Sequence, residues 1–381
     1  MSETLPLHGG QLRQIAEQLG IPAHELFDFS ANINREGPPA AVLSLLRTSL
    51  DNPSTLTSYP DLSETVLKRS LAHYAGVRPE NIVVGNGFVP LLDAVLQTLQ
   101  IRTCLLPVPA FVEYRRALTR ARVEIVPRTL TCDSGFSYDI TTMSSGYQGA
   151  ILLANPQNPS GVLTIRELLL ELTIKAAVRN QYVLLDEAFI DYCPEASLAR
   201  ETNRYPNLIV FRSLTKFFGM PGMRVAYAVT NQDISGRLQE AIAPWSITTL
   251  ASIAASVAVE DTSYASRTIA LNGDRRNRLQ KTLGALDIHV YSSAANFLLF
   301  RLQDLVDPEA FWKRMILDHR VVLRNCANYE ALPDRHFRAA VRNDSENSRL
   351  VEAISQALAS LGMPPAVGED SRELSGFKRQ S

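Results

Sequence analysis

Short, fully apolar runs of strand length alternate with helix-spaced apolar residues through the middle of this chain. Asn81-Ile82-Val83-Val84 precedes a helical stretch from Leu91 to Leu99, and Cys104-Leu105-Leu106 precedes a segment around Phe111 to Leu118. Ile151-Leu152-Leu153 leads through a turn to the helical pattern Ile165 to Val178. Tyr182-Val183-Leu184-Leu185, Leu208-Ile209-Val210 and Val225 to Val229 complete the set. Strands apolar at every position are covered on both faces. Their alternation with helices predicts an α/β fold, a mostly parallel sheet sandwiched by helices. Ligands of such sheets sit beyond the carboxyl ends of the strands. Nearly every residue with candidate chemistry here follows such a run.

From about residue 270 the pattern changes. Charged helical segments flank Asn296 to Phe300 and Val321-Val322-Leu323, and Phe337 to Val341 reads as one more strand, which predicts a smaller α+β lobe. Pro364 to Ser381 is rich in charge, Gly and Ser without apolar periodicity and reads as a disordered tail. There are no repeats.

Composition narrows the function classes. The 381 residues are 46% hydrophobic, enough for one large unit or two lobes. A net charge of -1 gives no electrostatic case for nucleic acid or an anionic membrane surface. The first ten residues carry neither a basic leader nor an apolar core, and no run approaches the roughly 18 apolar residues of a membrane span, so a cytoplasmic protein is expected. Cys104, Cys132, Cys193 and Cys326 lie far apart with no CxxC pair, and the six histidines show no ligand spacing. Free thiols in a reducing compartment and no metal are the expectation.

The richest string is Phe211-Arg212-Ser213-Leu214-Thr215-Lys216-Phe217-Phe218-Gly219-Met220-Pro221-Gly222-Met223-Arg224. A lysine just past a buried strand, two hydroxyls before it and an arginine eight residues on, suits a carbonyl-trapping lysine beside a phosphate site. Ser213, Thr215 and Arg224 would hold the phosphate of pyridoxal phosphate while Lys216 bonds its aldehyde. The same string would also serve as a strand followed by a solvated basic turn.

Four further segments add to it. Gly85-Asn86-Gly87 joins a strand to a helix, where glycines permit a tight turn and the amides of Gly87, Phe88 and Val89 face an anion; Pro90 has none to offer. It could equally be an ordinary turn. Asn155 to Gly161 is a rigid loop with two X-Pro steps that presents Asn158 toward the cofactor's phenolic oxygen. Asp186 ends an apolar strand and can pair with a pyridine nitrogen or cap the next turn. Phe111 can stack on the ring or serve the core.

Together these strings, in this order, resemble fold-type I pyridoxal-phosphate enzymes over roughly residues 5 to 360, and within them the histidinol-phosphate aminotransferase branch. The resemblance implies a seven-stranded-type sheet. It also implies an N-terminal arm (1–45) at the substrate site, a large cofactor-binding domain (46–268) and a small C-terminal domain (269–363), with the tail (364–381) beyond. Ser58-Tyr59-Pro60-Asp61 matches the branch's Tyr-Pro step, which implies a homodimer with shared active sites, Tyr59 reaching the cofactor phosphate of the partner. His8-Gly9-Gly10, Asp28 to Asn34, Arg324 to Tyr329, and Phe189 in place of a tyrosine look like the threonine-phosphate decarboxylases of cobalamin biosynthesis.

That likeness implies loss of carbon dioxide from O-phospho-L-threonine, giving (R)-1-amino-2-propanol O-2-phosphate. His8, Gly9, Asn32, Asn158, Arg324 and Arg338 would contact the substrate. Phe88-Val89-Pro90 departs from the polar residues usual at that turn, and the tail matches nothing in the family. Decarboxylation and amino transfer differ only in which Cα bond stands perpendicular to the ring, so the residues themselves leave both open.

Overall fold

The computed structural model describes Pro6 and residues 8–143 and 149–362; the proposed tail lies outside them. The larger sheet has seven strands: β1 (Ile82–Gly85), β2 (Thr103–Val108), β3 (Glu124–Thr129), β4 (Ala150–Ala154), β5 (Tyr182–Asp186), β6 (Leu208–Ser213) and β7 (Ala226–Val229). Their spatial order is β1-β7-β6-β5-β4-β2-β3. All neighbours run parallel except β7, which is antiparallel to both β1 and β6. Every residue of β1, β4 and β6 is buried. Alternate side chains serve opposite faces. Ile151, Leu153, Val183 and Leu185 enter one core, while Leu152 and Leu184 enter the other. The uniform apolar runs have this cause.

β3 has no counterpart among the predicted strands. It pairs only with β2, is half exposed, and contains Pro127. Proline lacks the amide a central ladder needs but is tolerated at an open edge, so the residue that hides this strand in the sequence is at home there.

Among the helices that follow strands of this sheet are α1 (Phe88–Thr98) after β1, α2 (Val112–Arg120) after β2 and α3 (Arg166–Val178) after β4. Pro90 sits in the first turn of α1, where its missing N–H leaves no bond unmade.

A second, antiparallel sheet comprises β8 (His289–Val290), β9 (Phe297–Arg301), β10 (Arg324–Asn325) and β11 (His336–Ala340), in the order β10-β11-β9-β8. Val321–Val322 is a strand, as its apolar run suggests, but it does not join this sheet. Those two residues pair in parallel with Phe27–Asp28, where Phe27 N–H donates to Arg320 and Phe29 N–H to Val322. The N-terminal segment is thereby stitched to the second core, and Ile15 and Phe29 pack in one cluster with Phe337 and Leu350.

Beneath the larger sheet lies a buried ionic network. Arg212, only 5% exposed, bonds Asp191 and lies 3.7 Å from Glu187, and Tyr74 donates to Asp191 at 2.9 Å. Glu187 also accepts from Ser197 Oγ (2.6 Å) and Leu198 N–H (2.7 Å). Burial pushes its carboxyl up to about 7, against the pull of Arg212. This network anchors the loop that follows β5 and the end of β6, the two places from which the candidate site is built. Removing one partner of a buried pair costs about 3–5 kcal/mol. Asp191→Ala is expected near the lower end, about 3 kcal/mol, because Glu187 remains beside the guanidinium. Urea denaturation should show a lower midpoint with an unchanged slope.

Candidate active site

A cavity of about 440 Å³ opens past the carboxyl ends of β5 and β6, between the two cores. It gathers fifteen of the sixteen residues singled out from the sequence: Gly87, Phe88, Val89, Phe111, Asn158, Asp186, Ser213, Thr215, Lys216, Arg224, His8, Gly9, Asn32, Arg324 and Arg338. Tyr59 is elsewhere. It is 79% exposed and stacks on Trp245 with ring centroids 4.6 Å apart.

The inner wall comes from the large sheet. Lys216 follows β6 and is half-buried, its amine turned away from solvent. Loss of solvent, then the charges of Arg338 and Arg224, bring its amine down to about 8, while Asp186 opposes the shift. Asp186 closes β5. Burial pushes its carboxyl up to about 6, although two donors and Lys216 hold it lower than burial alone would. The donors are the Tyr114 hydroxyl, 2.5 Å from Oδ2, and the Ala188 amide, 2.9 Å from Oδ1. Its capping is confined to that local turn.

Beside Lys216, Ser213 Oγ and Thr215 Oγ1 lie 2.8 Å apart, both buried. Arg224 crosses the start of α1 so closely that a Cβ on Gly87 would come within 2.7 Å of its Nη2. Gly87 also has φ +91°, a left-handed conformation. One expectation changes: the Gly87 amide donates to Gly85 O at 2.8 Å and is not a free anion donor. Gly87 supplies room for Arg224. The first-turn amides of Phe88 and Val89 receive no side-chain cap, and a helix start left open in this way can accept an anion.

The outer wall comes from the second sheet and the N-terminal segment. Arg324 and Arg338 are cross-strand partners on β10 and β11, only 3% and 6% exposed. Arg338 donates to Asn158 Oδ1 at 2.6 Å and to Ser30 O at 3.3 Å. Arg324 donates to Asn328 Oδ1 (2.6 Å) and Pro6 O (3.3 Å) and sits over the Tyr329 ring, 5.1 Å from its centroid. Tyr329 Oη is 3.4 Å from both Arg338 Nη1 and Asn158 Oδ1. Gly9 packs against Ser30 so tightly that a Cβ would overlap its carbonyl. Ser30 Oγ accepts from the Gly10 amide at 2.9 Å.

Phe111 is half-buried, edge-on to Tyr114 (5.6 Å) and 6.0 Å from the His8 ring. Phe189 packs edge-on to Phe297 at 5.0 Å.

Tyr114, Tyr329 and Glu113 have no role in the sequence reading. Tyr114 and Glu113 lie in a charged helical stretch where nothing separates them from ordinary surface or core residues. Tyr329 stands in a string already singled out, but only the fold shows that it lies between two arginines.

The site fits pyridoxal 5′-phosphate. It offers a desolvated amine of lowered basicity, a desolvated carboxylate across from it, and hydroxyls, an arginine and a helix start together. Asn32 Oδ1 and Arg338 Nε are buried without a partner, which further marks the outer wall as built for a polar ligand. Among the described residues no group of three or more His, Cys, Asp or Glu could hold a metal, and the four cysteines are free.

The Aminotransferase class I and II family matches residues 24–354. The threonine-phosphate decarboxylase of Salmonella typhimurium is 34% identical over 94% of this chain and 98% of that protein. A histidinol-phosphate aminotransferase of Roseiflexus castenholzii is 32% identical over 91% and 93%. Among solved structures, the histidinol-phosphate aminotransferase from Clostridium acetobutylicum superposes with a TM-score of 0.81 at 28% identity, covering 88% of this chain and all of that one.

Only a neutral amine attacks an aldehyde. Attachment of pyridoxal 5′-phosphate to Lys216, trapped with borohydride and mapped to its peptide, should therefore rise with pH about a midpoint near 8. Asp186→Asn removes the group that favours the charged amine, so its midpoint should lie lower. An ordinary midpoint above about 10 would show that burial does not act on this lysine.

Proposed function

The chain belongs to the aminotransferase class I and II family, and within it we propose a pyridoxal 5′-phosphate-dependent decarboxylase that converts O-phospho-L-threonine to (R)-1-amino-2-propanol O-2-phosphate for cobalamin biosynthesis. The observation that carries this reading is the pair of buried, facing arginines with His8 beside them. Such a wall suits a substrate with two anionic groups, a carboxylate and a phosphate. The identity to the Salmonella decarboxylase, over nearly the full length of both chains, supports the same choice.

When bound, the cofactor supplies a conjugated ring that accepts the electron pair left as a bond at Cα breaks. Lys216 would hold its aldehyde carbon and Asp186 its ring nitrogen. The hydrogen bonds from Tyr114 and Ala188 keep Asp186 ionised near neutral pH despite burial. Ser213, Thr215, Arg224 and the amides of Phe88 and Val89 would hold the phosphate, and the Phe111 ring bounds the cavity beside them. Asn158 is turned by its bond to Arg338 so that Oδ1 faces the guanidinium, leaving Nδ2 to donate.

Arg338 is the arginine whose charge acts most on Lys216, and Arg324 acts on His8 more strongly than Arg116 does. We therefore place the substrate carboxylate toward Arg338 and Asn158, and the phosphate toward Arg324, His8 and Asn32. Held at Arg338, the carboxylate's bond to Cα can be kept out of the ring plane, the geometry in which it breaks.

A homodimer completes this reading. Tyr59 and Trp245 stand exposed beside a run that includes Leu50, Leu56, Leu62 and Val66, all exposed, a surface of the kind that a second copy covers. Tyr59 would then reach the partner's site. Among the described residues no helix is long and apolar enough to cross a membrane.

Amino transfer on a phosphorylated amine is the second reading, favoured by the 32% identity to the Roseiflexus aminotransferase. Incubation with O-phospho-L-threonine should release carbon dioxide without 2-oxoglutarate. Glutamate formed from 2-oxoglutarate with no gas would reject the decarboxylase. Arg338→Ala should lower kcat/KM about 30- to 1000-fold, the equivalent of about 2–4 kcal/mol of charge-assisted bonding, with the cofactor still bound.

A further inference from the structure

Glu113, in the first turn of α2, is the residue that joins the large core to the N-terminal segment at the mouth of the cavity. Its Oε1 lies 3.0 Å from His8 Nε2 and accepts from Arg116 Nη1 at 2.8 Å. His8 is held from its other side by its own backbone amide, which donates to Gln11 Oε1 at 2.8 Å. The charged groups facing the imidazole are Glu113 and Arg116 from α2 and Arg324 from β10.

We propose that Glu113 is a positioning residue that fixes His8 and couples its grip on the substrate phosphate to its protonation. The inference deepens the function proposed above and rests on it. With Nε2–H bonded to a carboxylate, the neutral imidazole presents a bare lone pair at Nδ1, which repels an anion. Only the protonated ring offers an N–H from Nδ1 while keeping its bond to Glu113. Burial, Arg324 and Arg116 all disfavour that charged form, and Glu113 alone among these groups favours it. Glu113 thus makes His8 a phosphate donor that works on the acid side of its titration. Arg116, bonded to the same oxygen, keeps the carboxylate from swinging into the cavity toward the phosphate.

The test follows His8 in the holoenzyme by NMR of 13C-labelled histidine, its signal assigned by loss in His8→Asn. Titrations with and without inorganic phosphate would be paired with the pH profile of kcat/KM for O-phospho-L-threonine. Glu113→Gln should lower the His8 midpoint by about half a pH unit or more and move the basic limb of kcat/KM down with it. KM should rise while kcat stays within about twofold. Glu113→Asp should restore most of the shift, and inorganic phosphate should raise the midpoint in the wild type. Equal His8 midpoints in wild type and Glu113→Gln would overturn the proposal, as would a fall in kcat at constant KM. If the wild type releases no carbon dioxide but its His8 still responds to Glu113 and to inorganic phosphate, the substrate assignment fails and this coupling stands.

Discussion

Two guanidinium groups lie opposite each other on adjacent strands inside the second sheet, and much of the site is organised around that conflict. Like charges in register destabilise a ladder, and the low dielectric around residues this buried makes it worse. The chain answers with oxygen. Pro6 and Ser30 carbonyls, the Asn158 and Asn328 amides and the Tyr329 ring surround Arg324 and Arg338. These dipoles moderate the repulsion without cancelling two full charges, so the wall retains a strong preference for anions. The N-terminal segment supplies two of the carbonyls, which explains why it is stitched to this core before the larger sheet begins.

The inner wall shows the reverse tactic. Lys216 and Asp186 are opposite charges, yet burial moves both toward neutrality, to about 8 and about 6. An amine that loses its proton easily and a carboxylate short of a cationic partner are both reactive states. The ionic network around Arg212 begins at Glu187, the residue after Asp186, and at Arg212, the residue before Ser213 and four before Lys216, so the strand ends that carry these groups are held from below.

Much of this is legible in the sequence because buried parallel strands leave uniform apolar runs, and chemistry follows their ends. Lys216, Asp186 and Asn158 are singled out that way, and all three line the cavity. What escapes detection does so for physical reasons. β3 carries a proline and a half-wet face, so its pattern imitates a loop. Val321–Val322 has strand composition, but composition does not name its partner, which is Phe27–Asp28. The Gly87 amide looks available until the tight turn bonds it to Gly85. Tyr114 and Glu113 act by reaching across from a helix to residues far along the chain, and no local pattern records such a reach.

The two walls of the cavity have separate origins. The residues proposed for the cofactor hang from the large sheet, whereas His8, Asn32, Arg324 and Arg338, proposed for the substrate, come from the other core and the N-terminal segment. On the proposed roles, reaction machinery and molecular selectivity come from largely different parts of the fold, joined where Arg338 bonds Asn158 and acts on Lys216. Substitutions confined to one side can re-educate the enzyme toward a new metabolite while the other side keeps its chemical competence. Relatives that share this scaffold yet bear different names are what such a division of labour would produce.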